Sequence, residues 1–219
     1  SVGEGLGNKF LSHIRNCDAI CEVVRIFEDS DIQHVDGSVD PGRDVEVINS
    51  ELILADLATL DRKIHENQKK GQTGDKEAKL IASAALKLST HLNTGNLALT
   101  LPLDDDEMLA AKDFHLLTMK PILFVANLKE NELGKYSAAE LHARFKLPAS
   151  VPILPVSAKL EEELNDLSPE EAKAYLAELG INDSGLDTMI KTAFDLLSLQ
   201  YFFTSGEKES KAWTIKVGT

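Results

Sequence analysis

Apolar residues along this chain fall into distinct patterns, and the clearest is the unbroken run. Ile122-Leu123-Phe124-Val125-Ala126 is opened by Pro121 and closed by Asn127-Leu128-Lys129-Glu130, and Val151-Pro152-Ile153-Leu154-Pro155-Val156 is closed by Ser157-Ala158-Lys159. Short apolar runs with polar closers predict strands buried on both faces, the kind found in parallel α/β sheets. A third stretch, Ala19 to Phe27, is β-branched and ends in Glu28-Asp29-Ser30-Asp31, which also predicts a strand. Ligands of open parallel sheets lie beyond the carboxyl ends of the strands. The tips Asn127–Glu130 and Ser157–Lys159 therefore predict one shared site.

Elsewhere the period is helical. Gly3-Glu4-Gly5-Leu6-Gly7 leads into Phe10, Leu11 and Ile14 at helical spacing, which predicts a glycine-rich loop followed by a helix. From Asp44 to Lys70 there is no glycine or proline, and Ile53, Leu57, Leu60 and Ile64 form a seam. Gly71-Gln72-Thr73-Gly74-Asp75 breaks it, and Ile81, Ala85, Leu88 and Leu92 repeat the spacing. This predicts an antiparallel, coiled-coil-like hairpin with arms about 30 Å long, with too few aromatics for a core of its own. Asp104-Asp105-Asp106-Glu107 reads as a helix cap rather than a metal cluster. Ser137 with Glu140, and Ser168-Pro169 with Glu171, read as capping boxes; Gly180 ends the second helix and Ser184 starts the last. Tyr201–Thr204 and Ala212–Val217, joined through Ser205-Gly206-Glu207-Lys208, predict a β-hairpin that opens a small β-rich domain.

Charge narrows the picture. Across the 219 residues, 36 acidic against 23 basic side chains give a formal net charge of −13, which disfavours gripping nucleic acid by bulk electrostatics and gives no expectation of DNA sequence recognition. A local patch survives at the hairpin tip: Arg62, Lys63, Lys69, Lys70, Lys76 and Lys79 stand among Glu66, Asp75 and Glu77. It fits either an acidic partner such as RNA or an ordinary solvated face. No apolar run approaches the roughly 18 residues of a membrane span, and no signal-peptide pattern opens the chain, so a cytoplasmic protein is expected. Cys17 and Cys21 lack zinc or redox spacing and are expected in the core.

The strand tips carry the chemistry. Asparagine offers both a donor and an acceptor, which suits a purine edge. GTP-binding domains place Asn-Lys-x-Asp at such a tip, the aspartate accepting from two N–H groups of guanine. Here the tip is Asn127-Leu128-Lys129-Glu130, with an apolar residue in place of the ring-covering lysine and a longer carboxylate in place of the aspartate. A carboxylate aimed at the acceptor edge of adenine is penalised, and the pattern argues away from guanine. Ser157-Ala158-Lys159 would complete the pocket. In the plainer reading, Asn127 forms a turn and Ser157 caps a helix.

Taken together, Gly3-Glu4-Gly5-Leu6-Gly7-Asn8 with Phe10-Leu11, Arg25-Ile26-Phe27-Glu28-Asp29, His34-Val35-Asp36-Gly37, Asp40-Pro41-Gly42-Arg43-Asp44, Leu117-Thr118-Met119-Lys120-Pro121, the Asn127–Glu130 tip and Ala212-Trp213-Thr214-Ile215 resemble the Obg-like ATPase (YchF) family of the P-loop GTPase superfamily over nearly the whole length. The resemblance implies ATP hydrolysis in preference to GTP, with Mg²⁺, and association with the ribosome or its RNA. It implies a nucleotide-binding domain at 1–43 and 114–198, a coiled-coil insert at 44–113 and the beginning of a ubiquitin-like TGS domain at 199–219. It places Asn127 on the adenine edge, Leu128 on the ring, and Glu130, Ser157, Ala158 and Lys159 around the base. No G-x-x-x-x-G-K-[ST] occurs in the sequence. The expectation is an α/β chain starting in mid-domain, which supplies base recognition without the phosphate site, catalytic residues or metal ligands and is inactive by itself. The alternative expectation is a non-enzymatic module that docks on RNA or the ribosome through Lys69, Lys70, Lys76 and Lys79 and the β-rich end.

Overall fold

The computed structural model describes residues 4–28, 38–206 and 209–218. The His34-Val35-Asp36-Gly37 segment and the Glu207-Lys208 part of the last turn lie outside the described residues. In chain order the elements are α1 (Glu4–Arg15), β1 (Ile20–Arg25), α2 (Pro41–Gln72), α3 (Lys76–Leu92), α4 (Asp105–Lys112), β2 (Ile122–Asn127), α5 (Ala138–Phe145), β3 (Ile153–Val156), α6 (Ala158–Asn165), α7 (Pro169–Glu178), α8 (Gly185–Leu196), β4 (Leu199–Ser205) and β5 (Ser210–Lys216). Among the described residues no helix is long and apolar enough to cross a membrane.

The chain divides into two compact units, Ser1–Ile20 with Val45–Pro121, and Cys21–Asp44 with Ile122–Thr219. These units cut the sequence at different points from the domain boundaries read in it, since α1 clusters with the helical segment.

In the helical unit, both predicted seams turn inward. Ile53, Leu60, Ala85, Leu88 and Leu92 are buried, with Leu57, Ile64 and Ile81 packed against them. Asp75 caps α3 by accepting from the Ala78 N–H at 3.0 Å. A Cβ on Gly71 would come within 2.9 Å of the Lys79 backbone, so only glycine permits that approach of the two helices. The hairpin does not form this core from its own residues alone. Ala98, Ala111, Phe114 and Leu116, from the segment that follows α3, join the same cluster and supply the volume the hairpin lacks. The glycine-rich opening also differs from expectation. It is helical from Glu4, so Gly5 and Gly7 lie within α1.

A buried ionic knot fixes the end of α1 within this unit. Asp56 is fully buried and accepts from the Leu117 N–H (2.9 Å), the Thr118 N–H (2.7 Å) and the Thr118 hydroxyl (2.8 Å). Arg15 approaches the same carboxylate at 3.4 Å and donates to the carbonyls of Ala55 and His115. Lys120 donates to the carbonyl oxygens of Arg15 and Cys17, closing the turn after α1.

In the other unit the sheet order is β1-β2-β3, with β2 and β3 parallel and Asn127 opposite Val156. β2 is buried on both faces from Ile122 to Ala126, as its apolar run predicts. β3 is only half-buried and Pro155 is exposed, which suits a strand at a sheet edge, where a residue without an N–H is tolerated. Ser137 and Ser168 form the predicted capping boxes with Glu140 and Glu171, and Ser184 caps α8. In the helical unit, Asp104 and Glu107 make a further capping box at α4. Gly180, at φ 72°, takes the left-handed turn that ends α7. β4 and β5 pair antiparallel as predicted, with Phe202 opposite Trp213.

Candidate functional site

Three consequences of the parallel register build one site. The Leu128 N–H donates to the Val156 carbonyl at 2.8 Å, so the two polar closers begin side by side. The Ile26 N–H donates to the Asn127 carbonyl at 3.2 Å, which brings the end of β1 and the following Phe27 to the same edge. The Ala158 N–H, at the start of α6, donates to Asn127 Oδ1 at 3.1 Å and ties the tips together through a side chain. Around them opens a cavity of about 740 Å³ lined by Phe27, Asn127, Leu128, Lys129, Glu130, Ala158, Lys159, Glu162 and Leu179, among others. That volume is within the usual range for small-molecule sites.

The lining is apolar at two walls and polar between them. Lys129 Nζ stands 5.6 Å and the Arg25 guanidinium 5.8 Å from the centroid of the Phe27 ring, so the ring carries cations at its face and belongs to the electropositive side of the cavity. Leu128 is only 2 % exposed and forms floor rather than a projecting cover. Asn127 Oδ1 accepts from the Ala158 N–H, and the Nδ2 amide of the same side chain is a donor that a ligand can meet. A short 3-10 turn, Glu130–Glu132, follows the tip, and Lys129 N–H donates to the Glu132 carboxylate at 3.1 Å, which sets the exit angle of Glu130. Glu130 accepts from the Tyr175 hydroxyl at 3.3 Å. Lys159 reaches out 3.8 Å from Glu163 and stays largely exposed.

Of the residues expected around the base, Asn127, Leu128, Glu130, Ala158 and Lys159 are brought together and Ser157 is not. Ser157 is 1 % exposed and its Oγ accepts from the Leu160 N–H, so it serves as the cap of α6 and does not line the cavity. The sequence reading placed Lys129 in the tip without giving it a role, and it missed Phe27, Glu162 and Leu179. Phe27 was findable, because it ends the third strand tip just as Asn127 ends the second. Leu179 had no local signal; α7 carries it to the wall. Lys69, Lys70, Lys76 and Lys79 are exposed around the turn between α2 and α3. The expected burial of the cysteines is overturned: Cys17 and Cys21 are both exposed, because Cys17 falls in the turn after α1 and Cys21 points to the open face of β1, where its thiol meets Met189 Sδ at 3.7 Å. No three histidine, cysteine, aspartate or glutamate groups converge among the described residues.

A parallel sheet whose strand tips frame a mixed apolar and polar cavity, with an asparagine bridging two tips, defines an α/β protein of the nucleotide-binding class. No model of a protein family matches the chain. Individual relatives do. The ribosome-binding ATPase YchF of Bacillus subtilis (strain 168) is 45 % identical over 221 residues, covering 100 % of this chain and 60 % of the relative. The protein of the same name from Escherichia coli O157:H7 is 40 % identical over 218 residues with the same coverage. The solved structure of the Schizosaccharomyces pombe YchF GTPase superposes with a TM-score of 0.85 at 31 % identity, covering 100 % of this chain and 60 % of that one. The chain belongs to the YchF family of Obg-like P-loop GTPases, and it spans about 60 % of the length of the curated relatives it matches.

Proposed function

We propose that the intact protein is a nucleoside triphosphatase that hydrolyses ATP in preference to GTP and associates with the ribosome, in a cytoplasmic setting. The observation that carries the reading is the bridge from Asn127 Oδ1 to the Ala158 N–H, which fixes an amide donor over a cavity walled by Phe27 and Leu128. An amide donor suits a purine ring nitrogen and the apolar walls suit its faces. Glu130 bears on the discrimination: a carboxylate free in the cavity would oppose the acceptor edge of adenine, and the Tyr175 hydroxyl holds one of its oxygens. Ala158 and Lys159 close the far wall, and Ser157 supports them by capping α6. In this reading the residues contribute base selection. The names of the relatives support triphosphate hydrolysis and divide between ATPase and GTPase, so nucleotide preference is the quantity to measure. Calorimetry on the intact protein with non-hydrolysable ATP and GTP analogues is expected to give tighter binding of the ATP analogue. Asn127→Ala is expected to weaken both by about five-fold, the loss of one hydrogen bond. Equal affinity for the two purines in the unaltered protein sinks the base-reading argument.

A second contact is supported by the exposure of Lys69, Lys70, Lys76 and Lys79 around the turn that joins α2 to α3. We read this patch as the part that meets ribosomal RNA, acting by phosphate neutralisation. Reversing all four charges to glutamate is expected to reduce co-sedimentation with ribosomes at least ten-fold at moderate salt. Unchanged co-sedimentation removes the hairpin tip from the contact.

A further inference from the structure

Behind Glu130 lies a phenol that no local motif marks. Tyr175 sits in α7, its ring packed against the Leu160, Leu164 and Leu176 cluster, and α7 also delivers Leu179 to the cavity wall. The Tyr175 hydroxyl stands 3.3 Å from Glu130 Oε1 and 3.5 Å from Glu163 Oε2. A phenol has a single hydrogen and here faces two carboxylates, so it satisfies one at the expense of the other. Lys159, 3.8 Å from Glu163 Oε1, partly neutralises that neighbour and tips the hydrogen toward Glu130.

We propose that Tyr175 is a positioning residue that sets purine selectivity, by holding one oxygen of Glu130 and so fixing the orientation of the carboxylate, which then does not turn both oxygens to the base. The inference rests on the reading of the cavity as a purine site. Guanine offers two adjacent donors, N1–H and the N2 amine, and a carboxylate rewards it only by accepting both. Adenine offers an acceptor at N1, and a carboxylate swung freely into the cavity repels it. A tether on Oε1 therefore removes the advantage of guanine while keeping the charge away from adenine. Burial, followed by the charges of Glu130 and Glu163, pushes the Tyr175 phenol up, which keeps it a donor at neutral pH.

The test is the ratio of affinities for non-hydrolysable ATP and GTP analogues, measured by calorimetry on the intact protein. Tyr175→Phe keeps the ring against its apolar cluster and removes only the hydroxyl. It is expected to lower the ATP-over-GTP preference about five-fold, chiefly by tightening GTP binding, the effect of one hydrogen bond. With Glu130→Gln already in place, Tyr175→Phe is expected to change the ratio less than two-fold, because the tethered charge is gone. The ratio is insensitive to loss of folded protein, which weakens both nucleotides alike. If the unaltered protein prefers ATP and Tyr175→Phe leaves the ratio within two-fold, the tether is overturned and the purine site stands. If the unaltered protein binds neither purine, or binds both equally, the purine site itself fails and the tether falls with it.

Discussion

The two compact units each bury a carboxylate, and they treat it in opposite ways. In the helical unit, Asp56 receives two backbone N–H groups and a hydroxyl, with the Arg15 guanidinium beside it. In the sheet unit, Glu22 on β1 is 8 % exposed, and neither of its carboxylate oxygens meets a hydrogen-bond donor among the described residues. Burial and, next, the charge of Asp44 push the Glu22 carboxyl up to about 7. A buried charge is retained where donors surround it and gives way to its protonated form where they do not. The helical unit thus uses its carboxylate as a tie between distant segments, whereas the sheet unit carries its own as a proton-binding group.

The largest effect expected from this contrast is at Asp56. Asp56→Ala strands two buried N–H groups, a threonine hydroxyl and part of Arg15, and is expected to cost about 3–5 kcal/mol in urea unfolding followed by helical circular dichroism. A loss below about 1 kcal/mol would mean that the knot is not what holds the end of α1. Glu22 gives the smaller effect, with the sign set by pH. Its folded-state value of about 7 lies above the ordinary 4.5, so the folded protein keeps a proton that the unfolded chain releases. Stability from this group is fully present below about 4.5 and is lost as pH rises through about 7. Glu22→Gln is expected to be near neutral at pH 4.5 and to stabilise by on the order of 2 kcal/mol at pH 8. Equal unfolding midpoints for both forms across that range would show that Glu22 finds a partner in solution and would erase the contrast.

Much of the site was legible before any coordinates, and the reason is local. Apolar runs followed by polar closers encode strand and tip together, so Asn127, Glu130, Ala158 and Lys159 could be placed at one edge from spacing alone. The capping boxes at Ser137 and Ser168 were legible for the same reason, because each involves residues three apart. Ser157 was harder, since a cap and a ligand-binding hydroxyl look alike in sequence and only burial separates them. The cysteines were misread because small apolar character predicts burial on average, and the exposed face of β1 is set by which way the strand alternates.

What the sequence by itself determined is the set of elements, their caps, the order of strand and helix, and the residues at the second and third strand tips, all of which depend on interactions within a few residues. Tertiary structure alone decided the rest. It turned the oxygen of Asn127 onto the Ala158 N–H and so tied the two tips together. It brought Phe27 and Leu179 to the cavity and Tyr175 to Glu130, joined Phe114 and Leu116 to the hairpin core, and gave Asp56 its donors while leaving Glu22 without any among the described residues. The physical reason is the same in each case: a hydrogen bond or an apolar contact between segments far apart in the chain depends on where the backbone returns, and no local pattern records that.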